Sequence, residues 1–183
     1  MNNLVINLGT YGVTPGCVIL SIGAMQFDPA TGEEGKKFFR AIDLKKSLLM
    51  GFHQEEKTVD WWAGRSADAY MLAHSGTESP TTVLEKFTKW FQNTFEGQDV
   101  YVYGNSSRFE LGILHQAYRM CGLVYPFDSY LERDYRTLYT LNDWTRSVRW
   151  STPYEGLKHD PICDCRHEAK VITAIMQRYS LAA

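Results

Sequence analysis

The first 42 residues place the tightest constraint on the fold. Leu4-Val5-Ile6-Asn7-Leu8 is a short, β-rich apolar run stopped by Gly9 and Gly12, which is the pattern of a buried strand. Val18 to Phe27 predicts a second strand, and Asp28-Pro29-Ala30-Thr31-Gly32 supplies turn chemistry after it. A third strand follows at Lys37 to Ile42. Connections this short suit an antiparallel meander, because a parallel crossover needs a dozen or more residues.

Beyond this point the apolar spacing becomes helical. Thr58 to Ala63 and Ser66 to His74 predict short helices. Ser79 as N-cap and Pro80 at the first helical position open a longer one, with Leu84, Phe87, Phe91 and Phe95 at helical spacing. Val100 to Tyr103 predicts another strand, ended by Gly104-Asn105, and Phe109 to Cys121 a helix stopped by Gly122. A strand or turn near Tyr130 to Asp134 leads into a short helix from Tyr135 to Leu141. Asp160 and Pro161 start the last helix, whose apolar stripe is Cys165, Ala169, Ile172, Met176 and Tyr179. Strands and then alternating elements predict one α/β domain over residues 1–183, with a mixed sheet flanked by helices.

A chain of 183 residues can bury roughly two-thirds of its unfolded surface and needs no disulfide staples. The N-terminus lacks the basic region and long apolar core of a signal peptide, and no apolar run approaches the ~18 residues of a membrane span. Cys17, Cys121, Cys163 and Cys165 are therefore expected as free thiols in a reducing cytoplasm. Lys and Arg number 19 against 21 Asp and Glu, a net charge of −2. Proteins that grip nucleic acid by electrostatics alone carry a basic surplus. A polyanion partner here would need metal ions or a local basic patch.

Three segments carry chemistry: Ile6-Asn7-Leu8-Gly9-Thr10, Gly104 to Glu110, and His159-Asp160-Pro161-Ile162-Cys163-Asp164. Together with Ser21-Ile22-Gly23-Ala24, Trp61-Trp62, Asp134-Tyr135-Arg136-Thr137-Leu138 and the run from Asp164 to Ala169, they make the chain resemble the DEDDh family of 3′–5′ exonucleases. The nearest likeness is to the small phage and bacterial exonucleases labelled exodeoxyribonuclease VIII or exoribonuclease-like. The resemblance implies a ribonuclease H-like fold, with a mixed sheet of five or six strands: an antiparallel meander, then parallel strands, flanked by helices. It also implies an Asp-x-Glu pair on the first strand, an Asp on the central helix, and a His followed five positions later by an Asp. Four carboxylates then hold two divalent ions, and the His is general base.

This sequence keeps part of that pattern. His159 and Asp164 match the third motif, and Glu110 stands where the family has Asp. Asn7 replaces the first-strand Asp and Gly9 the Glu. Half of the carboxylates are gone, so two dications would leave excess positive charge with no bridging ligand, which is costly in a partly dry cleft. The expectation is a catalytically degenerate exonuclease-like protein of phage origin in a bacterial cytoplasm. It acts by binding and holds no cofactor. The charge balance favours a protein partner, from host defence or nucleic-acid processing, over single-stranded nucleic acid; a homodimer is also open. The alternative is a residual Mg- or Mn-dependent 3′–5′ exonuclease on single-stranded DNA or RNA, using Glu110, Asp164 and the Asn7 carbonyl for metal and His159 as base, with a displaced acid such as Asp28, or the substrate, completing the site. Asn7→Asp with Gly9→Glu is expected to regain metal binding.

Asn105, Arg108, Tyr135 and Arg136 are the expected contacts to nucleic acid or partner. His159, Cys163 and His167 could form a three-ligand zinc site, although the cysteines read more simply as small buried thiols. From residue 125 to 166 aromatics including Tyr130, Trp144 and Trp150 interleave with Arg133, Arg136, Arg146 and Arg149. This stretch suits base stacking or a protein interface. Trp61-Trp62 is expected in the core or at a dimer contact.

Overall fold

The computed structural model describes residues 1–179. Strands β1 (Asn3–Thr10), β2 (Ile19–Phe27) and β3 (Glu34–Ala41) form the meander, with β2 antiparallel to both neighbours. Strands β4 (Tyr101–Gly104) and β5 (Glu132–Asp134) extend the sheet in parallel from the other edge of β1. The order is β3-β2-β1-β4-β5, a ribonuclease H-like mixed sheet with five strands. Four helices lie between β3 and β4: α1 (Leu44–Leu49), α2 (Glu56–Ala63), α3 (Ala67–Ala73) and α4 (Pro80–Phe95). Helix α5 (Ser107–Met120) joins β4 to β5, and α6 (Tyr135–Tyr139), α7 (Asp143–Ser151) and α8 (Pro161–Arg178) follow. Among the described residues no helix is long and apolar enough to cross a membrane.

Helices α1 and α7 add to the elements the sequence pattern gives. Asp43 starts α1 by accepting from the Lys46 N–H at 2.9 Å. Asn142 and Thr145 close a reciprocal capping box on α7, with Thr in the place usually held by Glu or Gln. Strand β1 runs on through Gly9 to Thr10 because its ladder to β2 continues there.

The two-residue period of β1 sorts its side chains between two cores. Leu4, Ile6 and Leu8 join Leu84, Phe87, Ile113 and Leu114 on one side. Val5 joins Met25, Phe27 and Tyr103 on the other, under Cys165, Ile172 and Ile175 of α8. Asn7 shares the face of Val5 and so looks toward α8. Gly23, paired with Asn7 across β1 and β2, lets α8 come that close. A Cβ on Gly23 would stand 2.4 Å from Pro161 Cβ and 2.7 Å from its carbonyl carbon. The first turn of the last helix therefore rests on bare β2 backbone, beside Asn7.

Candidate active site

Three chain segments meet at the C-terminal end of β1: the strand itself, the turn from β4 into α5, and the entry to α8. Ser106 and His159, at the two helix entries, have φ of 83° and 70°. These are left-handed conformations that cost an L-residue about 1–2 kcal/mol. Strain of this kind tends to collect at functional sites.

Glu110 lies in the first turn of α5, is 3% exposed, and has no hydrogen-bond partner for Oε2. Burial pushes its carboxyl up to about 8. Asp164, in the first turn of α8, accepts from the Tyr154 hydroxyl at 2.7 Å. Burial raises its pKa as well. The His159 ring meets Trp61 edge-on, with centroids 4.8 Å apart. Burial, then the charges of Arg65 and Lys158, hold this imidazole toward its neutral form.

A third acid completes the group. Glu168 follows Asp164 by one helical turn, on the same face of α8, and is 4% exposed. Its Oε1 accepts from Asn7 Nδ2 at 3.4 Å and Asn105 Nδ2 at 3.1 Å, and its Oε2 has no partner. Burial raises this carboxyl well above the ordinary range, and the negative charges of Glu110 and Asp164 add to the effect. An amide–carboxyl–amide chain thus stands where the motif pattern would put a metal-binding Asp. At Gly9, a Cβ would lie 2.6 Å from Ser21 Oγ and 3.4 Å from Trp62 Cζ2, so any side chain there requires Ser21 to turn away.

Two cavities flank this group. The first, about 420 Å³, is lined by Asn7, Gly9, Glu110, His159 and Asp164, with Trp61, Trp62 and Phe109 as ring walls and Lys57 beside them. Trp62 is fixed by donating from Nε1 to the Thr10 carbonyl at 2.9 Å, whereas Trp61 is 41% exposed. Thus Trp62 is a core residue and Trp61 a cleft wall. The second cavity, about 550 Å³, lies under Arg149, Trp150, Tyr154, Lys158 and His167, and shares Asn7 and Asp164 with the first.

The donors do not fit a pair of divalent ions. The strand offers Asn7 and Gly9 but no carboxylate to bridge two cations. Among the described residues no three His, Cys, Asp or Glu side chains gather closely enough to hold a metal. Asp28 does not make good the loss. It follows Phe27, which pairs with Asn3, four residues or about 13 Å along β1 from Asn7, and it accepts from the Ala30 N–H in its own turn. The zinc reading falls to the same observation. The Cys165 thiol is fully buried and donates toward the Val5 and Gly23 carbonyls.

The expected contact residues separate. Asn105 lines the second cavity. Tyr135 is fully buried in its wall, with its hydroxyl unpartnered. Arg136 donates to the Asn105 carbonyl at 3.2 Å. Arg108 is exposed in a different depression, with His115 and Tyr125. The aromatic–Arg stretch divides into local stacks: Arg133 over Tyr101, Arg149 between Tyr139 and Trp150, and Arg178 over Trp144. Glu168, Phe109 and Lys57 are the site residues that the sequence pattern leaves unmarked. For Glu168 a local signal existed, since it lies four positions after Asp164.

No curated protein sequence matches the chain. Among solved structures, it superposes on the nuclease domain of 3′hExo, described as a DEDDh family member bound to rAMP. That match has a TM-score of 0.66 and 14% identity, and covers 96% of this chain and 92% of the other. Cell-death related nuclease 4 (CRN-4) matches with a TM-score of 0.66 and 13% identity, over 97% of this chain and 64% of the nuclease. Exonuclease X, solved in complex with 5′ overhanging duplex DNA, gives 0.58 and 13%, over 97% and 93%. At these identities the likeness is one of fold. The family model of the 3′–5′ exoribonuclease Rv2179c-like domain matches residues 2–176, and the chain belongs to that family.

Proposed function

We propose that this protein is an exonuclease-like domain that has lost two-ion hydrolysis and acts by binding, with the terminal nucleotide of a single-stranded nucleic acid in the first cavity. One observation carries the reading. The end of β1 presents an amide and a bare backbone where the DEDDh pattern has two carboxylates, yet the ring-lined cleft beside it is open. Trp61 and Phe109 can stack on a base, which is worth ~1–3 kcal/mol per base, and Lys57 and Lys158 supply charge for the phosphates. A cleft of about 420 Å³ is within the size range of small-ligand sites. Asn105 would meet the next nucleotide in the second cavity, with Arg136 positioning it. Charge balance alone favours a protein partner; the shape and ring content of the cleft favour a strand end. In a phage-infected bacterial cytoplasm, such a domain would shield strand ends from host nucleic-acid-processing enzymes.

The test is fluorescence anisotropy with short 5′-labelled DNA and RNA strands in EDTA, followed by incubation of the same strands with Mg²⁺ or Mn²⁺. Binding without metal is expected, weakened about tenfold or more by Trp61→Ala, with the strands left intact. Digestion that Asp164→Ala abolishes would instead establish a residual exonuclease, and failure to bind either strand would remove the reading.

A further inference from the structure

We propose that Glu55 is the positioning residue of the first cavity: its carboxylate ties the loop after β1 to the start of α2 and so fixes the separation of two cleft walls. Those walls belong to different segments. Val13, 62% exposed, lines the cavity from the loop between Tyr11 and Cys17. Lys57, Thr58 and Trp61 line it from α2. Glu55 joins the two through three hydrogen bonds. Its N–H donates to the Tyr11 carbonyl at 2.7 Å, and its Oε1 accepts from the Val13 N–H at 3.0 Å and the Thr14 hydroxyl at 2.7 Å. The single Thr14 hydroxyl proton is directed at the carboxylate, so His53 Nε2 is the donor in its own 3.0 Å contact with that oxygen.

The residue type and its place show that Glu55 serves the loop and not the helix. It occupies the N-cap of α2 and makes no side-chain bond to the helix, at a position where Ser, Thr, Asp or Asn would stabilise the first turn. Its longer side chain crosses to the loop instead. Gly12 makes room for it, since a Cβ there would stand 2.9 Å from Glu55 Oε1 and 2.5 Å from Cys17 Cβ. The Thr14 hydroxyl, ahead of the other donors, holds the Glu55 carboxyl below the usual carboxylate range, so the tie is charge-assisted in neutral solution. The ends of the loop are anchored elsewhere, Tyr11 by its hydroxyl on His74 at 2.5 Å and Gly16 by its carbonyl on the His53 N–H at 3.1 Å. Between these anchors the Val13 N–H bonds to Glu55. Cutting the tie therefore frees the Val13 wall and leaves the core intact, and a ligand entering the cavity must then order that wall itself.

Only the ligand arm of the test depends on the first cavity being the strand site; the full chain without nucleic acid supplies the other arm. In ¹⁵N-labelled protein the Val13 and Thr14 amides are expected to give order parameters of about 0.85, falling below about 0.6 in Glu55→Ser. Serine can cap α2, so Tm should hold or rise. Glu55→Gln keeps an acceptor oxygen within reach of both donors and should restore loop order. By anisotropy with the labelled strands in EDTA, Glu55→Ser should bind about tenfold more weakly, which corresponds to ordering about one residue of backbone. Glu55→Gln should stay within about threefold of the unsubstituted protein. Unchanged loop order or unchanged strand affinity in Glu55→Ser would overturn the proposal, as would an affinity loss that only follows a fall in Tm. If the unsubstituted protein binds no strand, the nucleic-acid reading fails, while loop order in Glu55→Ser still decides whether Glu55 holds the wall.

Discussion

Glu110 is one of three buried carboxyls whose raised pKa makes the protein's stability depend on pH. Glu110 holds its proton up to about pH 8 in the folded state, against about 4.3 for an unfolded Glu. The folded form therefore binds the proton more tightly. Stability from this group is fully present below the unfolded pKa and is lost as pH rises through the folded one. In EDTA, Glu110→Gln should gain on the unsubstituted protein by about 2–3 kcal/mol between pH 6 and pH 9, measured by urea denaturation. Asn7 and Glu168 give a second prediction. Asn7→Asp removes an N–H donor and sets a carboxyl against Glu168, which should cost about 1–3 kcal/mol. Combining it with Glu168→Gln should recover most of that loss in a double-mutant cycle, because the new amide can donate to the aspartate. Restoring both strand carboxylates with Asn7→Asp and Gly9→Glu is therefore expected to work best alongside Glu168→Gln, and it requires Ser21 to turn from the space above residue 9.

Two elements, β2 and α8, hold the site together through one point of backbone contact. Gly23→Ala would drive a methyl group into Pro161, and overpacking of this kind costs about 1–3 kcal/mol. Chemical denaturation should record that loss. The entry to α8 should shift with it, so strand binding should weaken even where the variant remains folded. Elements with local signals were legible in the sequence. Ser79-Pro80 and Asp160-Pro161 mark the starts of α4 and α8, and the alternation of β1 marks a strand. Helix α7 was not, since its cap uses Asn142 and Thr145 and it carries few aliphatic residues. The site divides in the same way. Asn7, Gly9, Glu110, His159 and Asp164 sit in short contiguous motifs and could be located from sequence. The role of Glu168 depends on Asn7, 161 positions away, and only the folded sheet brings the two together. Trp61 and Trp62 are adjacent in sequence yet differ in burial, because helix geometry turns one into the core and the other toward the cleft.

For the molecule as a whole, the net charge of −2 limits how a strand can be held. Three cations, Lys57, Lys158 and Arg149, line the cavities, and each phosphate neutralised on a single strand contributes about 0.7 to the slope of log K against log salt. The expected slope is at most about −2.1, read from anisotropy titrations across a salt series; a much steeper value would mean that a basic surface outside the cleft is engaged. The two-sided core has a further consequence. Val5, Met25, Phe27 and Tyr103 are covered by α8, which is made after every strand. While the ribosome is still extending the chain, one side of the finished sheet is covered only in part, by Tyr135, Leu138 and Val148 of α6 and α7, and cannot be sealed until α8 leaves the exit tunnel. Until then the nascent chain exposes a sticky surface suited to chaperones or to its neighbours on the same message, so the segment that completes the site also ends the chain's most aggregation-prone interval.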